Sequence, residues 1–513
     1  MNAPLEDIRD GSEDRHDEFS EQAATRSKRF GHRVGSWVVN LPMVRDRVPP
    51  RYRPALYFDS LYNLGVGSFF SAYVLSIVVI TTILDGNAFH LALLSAMFGG
   101  SSLLSPLVSY CGRKISMRSL VVYPNLIVAA LLCATAAKFG GATFFAFVIG
   151  LAFVMRVFPR VGEMNMYRIL YPPTHRGAAV GWLKAVFAVS GLAVTLCGYL
   201  WFLLQPQWYW MLYCVIAVIL VGASVAYSKI PMGRTNVFAS EESTPPHLAF
   251  WQGLKTFLAD RRFLMFQGGF ALAGTANHMA IVFVAQVLKE DVLKARGVTT
   301  FVSAPLLQFF QNLLRFLQDH WGASRSITLE DFLMILIIGF TVAVLPAVLM
   351  IASTLFWGRV LDRINPMNAR AIFNVFQTAA YAFYAFGGLT AQLWPFIAGA
   401  SLHALGNGGG TINWLTGSLY FARPEQISLY NAVHVGLTGV RGLLAPLLGA
   451  YLLSSNGLNL GVGLFWISSA LSLLGVVVML LQGISDPGPR EAGAMNSKTR
   501  TKPEPAFAGS SDR

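Results

Sequence analysis

Charge is scarce in this sequence. Charged residues make up only 13% of its 513 residues, and 54% are hydrophobic. Soluble domains carry about 25% charged residues, so the composition excludes a soluble enzyme. Cysteines are few and show no metal-ligand spacing, so we predict packing roles for Cys111, Cys133, Cys197 and Cys214. A G-x-x-x-x-G-K-S/T phosphate loop is also missing, and we expect neither ATP nor a cofactor to drive the protein.

Long apolar runs dominate the chain instead. Stretches of about 20 residues, each long enough to cross a bilayer as a helix, recur roughly twelve times. The sequence therefore predicts an all-α integral membrane protein with about twelve transmembrane helices, and not an enzyme. The first 58 residues are polar and contain no signal-peptide core, so we expect the N-terminus to stay in the cytoplasm.

The net charge of +13 could suggest a nucleic-acid partner, but its distribution indicates a membrane. Basic residues collect in alternate loops, which is the positive-inside pattern. These loop residues include Arg113, Lys114, Arg118, Arg168, Arg176, Lys229, Arg234, Arg261, Arg262, Arg359, Arg363, Arg370 and Arg423. The opposite loops carry almost none. We therefore predict cytoplasmic termini and insertion in the inner cell membrane, with no nucleic acid bound.

Polar segments divide the apolar sequence into two halves. We predict a cytoplasmic tail at 1–58, six helices in 59–227, a cytoplasmic linker at 228–262, six helices in 263–484 and a disordered cytoplasmic tail at 485–513. The segment 289–330 is a long outside connection within the second half. One helical face of its stretch Leu306–Gln318 would carry Gln308, Gln311, Asn312, Arg315 and Gln318. This spacing predicts an amphipathic helix along the membrane surface or over the pore.

Three ionisable residues follow an apolar run in the fourth predicted span. Arg156, Arg160 and Glu163 are spaced by four and three residues in one helical run, which places them on one face. Charges at bilayer depth are costly and usually face a polar cavity or each other. We therefore predict a coupled unit, with Glu163 carrying a proton and an arginine anchoring the substrate. The alternative is a structural ion-pair cluster that locks two helices.

Other predicted spans also contain polar side chains. The further candidates for substrate binding or coupling are Lys184, His278, His403, Asn407, Trp414, His434 and Arg441. Arg441 falls near mid-span, where no aqueous surface explains it. A lone buried histidine such as His278 or His434 can instead be a packing residue. Spans three, six, nine and twelve lack ionisable residues in their cores, and this pattern predicts two six-helix bundles around a central cavity.

Two short loop motifs lie about half a chain apart. The sequence after the eighth span reads Gly358-Arg-Val-Leu-Asp362-Arg363. After the second span it keeps Gly112-Arg113-Lys114 but has Ser109 where an aspartate would match. Together with the twelve spans, these loops resemble the major facilitator superfamily over about residues 58–484. The connection Pro172–Gly181 is also similar to that family, and Arg156 matches a fourth-span arginine of many proton-coupled members.

The resemblance implies two pseudo-symmetric bundles that transport by alternating access. It places Gly112, Arg113, Lys114, Gly358, Asp362 and Arg363 in gating loops. Because the cavity candidates are mostly cationic, we expect a small anionic or zwitterionic substrate, with protons as the coupling ion and a monomer in the bilayer. The rival interpretation is a transporter-like scaffold that binds or delivers a hydrophobic cofactor, or senses a ligand, without turnover.

The variant Asp362→Asn tests the second gating loop. A loop carboxylate can dock on the positive end of a helix dipole, a contact worth about 1 kcal/mol. We expect the variant to be expressed normally but to transport more slowly in reconstituted vesicles. Wild-type rates would leave the alternative that Asp362 and Arg363 are an ordinary solvated pair. The alternative to a gating role for Gly112–Lys114 is that these residues form a tight cytoplasmic turn.

Overall fold

The chain is helical almost throughout the part described by the computed structural model. The described residues are 52–105, 107–108, 115–171, 173–230, 255, 258–320, 327–361, 364–421 and 427–485, and no strand occurs among them. Most residues of both tails and of the linker lie outside these ranges. So do the gating-loop residues Gly112, Arg113, Lys114, Asp362 and Arg363, whereas Gly358 lies in a helix.

The first half contains seven described helices. They are α1 (Arg53–Val78), α2 (Ala88–Gly100), α3 (Met117–Ala134), α4 (Gly141–Met155), α5 (Val157–Leu170), α6 (Pro173–Leu204) and α7 (Tyr209–Ser228). A π-helical stretch, Val79–Ile83, extends α1, and a 3₁₀ stretch, Ser101–Leu104, extends α2.

The second half continues the series. Its described helices are α8 (Arg261–Ala280), α9 (Val284–Val287), α10 (Ala304–His320), α11 (Leu329–Gly339), α12 (Leu345–Leu361), α13 (Pro366–Thr390), α14 (Leu393–Thr416), α15 (Ile427–Leu453) and α16 (Gly463–Ser485). The π-helical stretches Leu288–Lys294 and Phe340–Val344 follow α9 and α11.

The helices fit a membrane fold. Nine helical segments of the described chain are long and apolar enough to cross a bilayer. Ala88–Leu104 is apolar but shorter, and α13 and α14, with 25 and 24 residues, are not among the nine. The predicted all-α membrane fold is therefore confirmed, while the number twelve stays a prediction.

Most helix packing occurs within each half. In the first half α1 packs on α6 and α7, α3 on α7, and α2 on α4. In the second, α8 and α13 pack on α16, and α14 packs on α12 and α13. The main contact between the halves joins α2 to α15, where a Cβ atom added to Gly442 would lie 2.6 Å from the backbone of Gly99. Only glycine on both helices permits this approach.

The predicted amphipathic helix is present as α10. Its residues Gln308, Gln311, Asn312 and Arg315 are exposed. Leu314 is buried on the opposite face, where α10 packs on α11. Gln318 is only partly exposed, because its side-chain amide donates a hydrogen bond to the carbonyl oxygen of Ile327 at 3.3 Å.

Arg370 departs from the sequence interpretation. The charge pattern assigned it to a cytoplasmic loop, and the ninth span was expected to lack an ionisable residue in its core. Instead Arg370 lies in the second turn of α13 and is only 5% exposed. The reason is the helix start: the Asn365 side chain caps α13 by accepting a hydrogen bond from the Met367 amide at 2.9 Å. The helix therefore begins before Arg370 and carries it into the protein.

Cysteine labelling tests the predicted topology, with α10 outside and the linker at 228–262 inside. In a background without the native cysteines, Gln311→Cys should react with an impermeant maleimide added outside, because Gln311 is exposed. The control Ser240→Cys should react only after the membrane is permeabilised. Labelling of Gln311→Cys from the cytoplasmic side alone would reverse the topology.

Candidate functional site

The predicted run from Arg156 to Glu163 is not one continuous helix. Helix α4 ends at Met155, Arg156 forms a turn, and α5 begins at Val157. Pro159 explains the break, since proline has no amide hydrogen to donate to the carbonyl of Met155 and its ring crowds that carbonyl. The break places Arg156 at the junction of two helices, where its guanidinium group can turn into the bundle.

Arg156 and Glu163 form a buried ion pair. Nη2 of Arg156 lies 2.5 Å from Oε1 of Glu163, and Arg156 is 3% exposed. The Tyr62 hydroxyl of α1 donates to the same carboxylate oxygen, and the Asn125 amide of α3 donates to that hydroxyl at 3.3 Å. Nε and Nη1 of Arg156 have no hydrogen-bond partner. The carboxylate thus connects three helices, and the arginine keeps two donors unused.

Arg160 is not ion-paired with Glu163, although it interacts electrostatically with both Glu163 and Arg156. Its guanidinium group lies 5.2 Å from the ring centroid of Trp414, which belongs to α14 in the second half. It forms no ion pair with any described residue. Within the predicted three-residue unit, Arg156 and Glu163 form the ion pair, and Arg160 interacts with both at longer range while it also faces the other half.

Lys184 on α6 is exposed, with its Nζ 5.4 Å from the Phe187 ring centroid. It interacts electrostatically with Glu163 and with Asp59, although no carboxylate among the described residues lies within ion-pair distance. Lys184 therefore contributes a cation near the acidic groups of the first half without being neutralised by one of them.

Asp59 was missed by the sequence analysis. It is fully buried in the first turns of α1, where its two oxygens accept hydrogen bonds from the Asn63 amide and the Tyr171 hydroxyl, each at 2.9 Å. No cation of the described chain lies within ion-pair distance of it. The spacing of Asp59 and Asn63 by one helical turn was the available signal, but the residue sits at the edge of its apolar run.

In the second half, His403 and Asn277 hold three helices together. Nε2 of His403 lies 2.8 Å from Oδ1 of Asn277, and the Tyr381 hydroxyl donates to the same oxygen at 3.0 Å. Because that oxygen only accepts, the His403 Nε2 carries the hydrogen. This satisfied, buried network has the character of a packing site. The side-chain amide of Asn407, one turn further along α14, lies 4.0 Å from the Met350 sulfur.

His434 also lies in a packed environment. It is buried, with Nδ1 2.9 Å from the Gln267 side-chain amide and its ring 4.8 Å from that of Phe270. The Trp414 indole lies 5.8 Å from the same imidazole and donates to Thr438 at 3.3 Å. His434 and Trp414 are thus neighbours, and through Trp414 the cluster reaches Arg160.

Arg441 and Arg370 are the cations nearest to this cluster. Arg441 donates to the Phe270 carbonyl at 2.7 Å and to the Thr438 hydroxyl at 3.2 Å. Arg370 interacts electrostatically with both Arg441 and His434. His278 lies within electrostatic range of Arg441 and makes no side-chain hydrogen bond with the described residues. Neither Arg370 nor Arg441 forms an ion pair with a described residue.

Polar contacts join the halves near one end of the helices. Lys289 is 5% exposed and donates to the Thr81 carbonyl at 2.7 Å and to the Asp85 carboxylate at 2.5 Å. The Tyr199 hydroxyl donates to the Ile335 carbonyl at 2.9 Å. The hydrogen bond and charge of Lys289 lower the pKa of Asp85 from its ordinary value of 3.8. Asp85 therefore stays ionised near neutral pH, and its bridge does not act as a proton switch there.

The variant Asp85→Asn should loosen this end, because it removes the charged acceptor that the other half presents to Lys289. We expect a cysteine placed at Thr82 to react faster with a soluble maleimide in Asp85→Asn than in the parent protein. Glu290→Gln is the matched control, since Glu290 also lies within 3.8 Å of Lys289 but belongs to the same helical segment. Equal labelling in both variants would mean that the bridge does not hold the halves together.

The sequence matches no family model and no curated protein. The fold, however, is similar to a crystal structure of an aspartate-to-alanine variant of the nucleoside transporter NupG. That similarity has a TM-score of 0.58 at 12% identity and covers 84% of this chain and 99% of the other. A second crystal structure of NupG gives a TM-score of 0.50 at 13% identity, covering 84% and 98%. The chain therefore has the helical fold of a membrane transporter.

Proposed function

We propose that the protein is a secondary active transporter of the major facilitator type. It moves a small anionic or zwitterionic organic solute across the inner cell membrane by alternating access, coupled to protons. One observation carries the proposal: on a transporter fold, four cations that lie beyond the first turn of a membrane span have no ion-pair partner among the described residues. They are Arg160, Lys184, Arg370 and Arg441.

The charge imbalance favours an anionic cargo. Removing a cation from water costs several kcal/mol, and an isolated cation at bilayer depth is correspondingly rare. The acids of the same helices do not offset these four cations, because Glu163 is paired with Arg156 and Asp59 binds neutral donors. A carboxylate or phosphate of the cargo would supply the missing charge. Arg160 and Trp414 place part of this site between the halves.

Alternating access requires two halves that separate at one end while they close at the other. The helix contacts within 53–228 and within 261–485 support two bodies, and we infer six membrane helices in each. The Lys289–Asp85 bridge and the Tyr199–Ile335 hydrogen bond lie at the end that the charge pattern places outside. We infer that this conformation is closed to the outside and that the cargo leaves or enters from the cytoplasm.

Proton coupling would use the acids of the first half. Glu163 shares its carboxylate between Arg156 and Tyr62, so an incoming anion that draws Arg156 away would leave Glu163 to bind a proton. The unused Nε and Nη1 donors of Arg156 are available for such an anion. This exchange of partners links cargo binding to protonation without a further cofactor.

A scaffold or sensor remains the second candidate, because Ser109 replaces the aspartate of the first gating loop. Uptake into proteoliposomes separates the two functions. We would supply labelled dicarboxylates, phosphate esters, amino acids and nucleosides under an imposed proton gradient. Accumulation of an anionic or zwitterionic solute is the expected result. Accumulation of a neutral nucleoside alone would refute the charge argument, and ligand binding without uptake would favour the sensor.

Variants of the Arg156–Glu163 pair test the coupling step. Glu163→Gln should abolish accumulation against a gradient yet retain exchange of cargo between the two sides, because the proton-binding group is lost. Arg156→Lys should weaken cargo binding about tenfold, since lysine keeps the charge but not the planar fork. Glu290→Gln, an acid outside this network, is the control.

Asp59→Asn shows whether the second buried acid is required as well. Normal accumulation in Glu163→Gln together with its loss in Asp59→Asn would transfer the coupling role to Asp59. If Glu163→Gln accumulates cargo normally and Arg156→Lys binds it normally, the pair is only a helix lock.

A further inference from the structure

Two buried arginines of the second half contact one phenylalanine ring. The guanidinium group of Arg370 lies 4.1 Å from the ring centroid of Phe270, and that of Arg441 lies 4.3 Å from it. The two groups are therefore at most about 8.4 Å apart, the sum of these distances. Three helices, α13, α15 and α8, bring the three side chains together.

The like charges of this pair are not neutralised by the protein. Neither arginine forms an ion pair with a described residue, and the buried Nε of each lacks a hydrogen-bond partner. Arg441 uses its other nitrogens on the Phe270 carbonyl and Thr438, whereas Arg370 makes no hydrogen bond with the described residues. An aromatic face offsets only part of the cost of burying a guanidinium group.

We propose that Arg370 and Arg441 bind one anionic group, a carboxylate or a phosphate, between them. A guanidinium group matches both anions through paired N–H donors, and two of them can hold one anion from different sides. Phe270 would keep the arginines in place while the site is empty. His434, whose ring lies 4.8 Å from that of Phe270, is the nearest additional titratable group.

This inference rests on the proposed function, because the anionic group is taken to belong to the cargo. The same chemistry could come from the phosphate of a lipid headgroup. The 5% exposure of Arg370 favours a soluble anion that enters through the protein over a lipid at its surface. Among the described residues, the titratable groups that interact with the pair are His434, His278 next to Arg441, and Tyr381 next to Arg370.

Thermal unfolding of the purified full-length protein tests the site. In non-ionic detergent at matched ionic strength, we expect phosphate and succinate to raise Tm in a saturable manner, and sodium chloride not to do so. Arg370→Gln and Arg441→Gln should each weaken the apparent affinity about tenfold or more. Arg370→Lys should also weaken it, because the fork is lost. Arg118→Gln is the matched control: Arg118 also donates to a backbone carbonyl, that of Ile230, but is exposed in the other half.

The anion-free protein supplies a second readout. If the pair exists to bind an anion, Arg370→Met should leave the anion-free Tm unchanged or raise it, because the repulsion of two buried cations is removed. A structural arginine would behave in the opposite way, with a lower Tm in the variant. A lower anion-free Tm combined with wild-type stabilisation by phosphate would overturn the proposal.

Three further outcomes identify the source of the anion and distinguish a failure of the anion site from a failure of the proposed transport function. Stabilisation by short-chain phosphatidylglycerol, with none by phosphate or succinate, would assign the site to a lipid and overturn a cargo site. Binding of soluble anions that depends on both arginines, in a protein that transports nothing, would refute transport and retain the site. Transport of an anion with unchanged affinity in Arg370→Gln and Arg441→Gln would retain transport and refute the site.

Discussion

Burying charge inside a membrane protein is the constraint on which this structure depends. An isolated ion in the bilayer interior costs at least a few kcal/mol, so each ionisable side chain must find a partner, reach water or serve a ligand. The first half meets this demand for Arg156, which pairs with Glu163, and for Asp59, which is held by Asn63 and Tyr171, but Arg160 and Lys184 form no ion pair with a described residue. In the second half Arg370 and Arg441 both contact the ring of Phe270, and neither forms an ion pair with a described residue.

Under the proposed function, the two halves would have distinct parts in a transport cycle. A carboxylate that is already bound to an arginine can exchange that partner for a proton, which suits the first half to coupling. Arginines without a carboxylate attract anions, which suits the second half to holding cargo. Arg160 of the first half lies against Trp414 of the second, and Trp414 lies beside His434. A chain of contacts thus connects Arg160 of the first half to His434 of the second.

The helix contacts between the halves are compatible with the proposed movement. Gly99 and Gly442 let two backbones approach closely without interlocking side chains. Gly339 leaves room for the Tyr199 ring, since an added Cβ would clash with that ring. The charged bridge from Lys289 to Asp85 is open to water on the Asp85 side, where the carboxylate is 80% exposed. Such a bridge is individually weak, so it can break and re-form during a cycle.

Sequence reasoning identified the membrane helices, the surface helix α10 and the buried charges that stand inside apolar runs. Arg156 and Arg441 were found because their neighbours are hydrophobic on both sides. Asp59 and Arg370 were missed because each lies at the edge of an apolar run, where hydropathy does not separate a loop from a first helical turn. The cap at Asn365 and the proline at the first helical position start the helix before Arg370.

Contacts between distant parts of the chain could not be predicted from the sequence, for a different reason. Lys289 and Asp85 are 204 residues apart, and nothing in either local sequence selects the other. The break at Arg156 could have been predicted from Pro159, yet its consequence could not. A straight helix would place Arg156, Arg160 and Glu163 on one face. In the structure Arg156 lies at the break and pairs with Glu163, while the Arg160 guanidinium group lies near Trp414 of the other half.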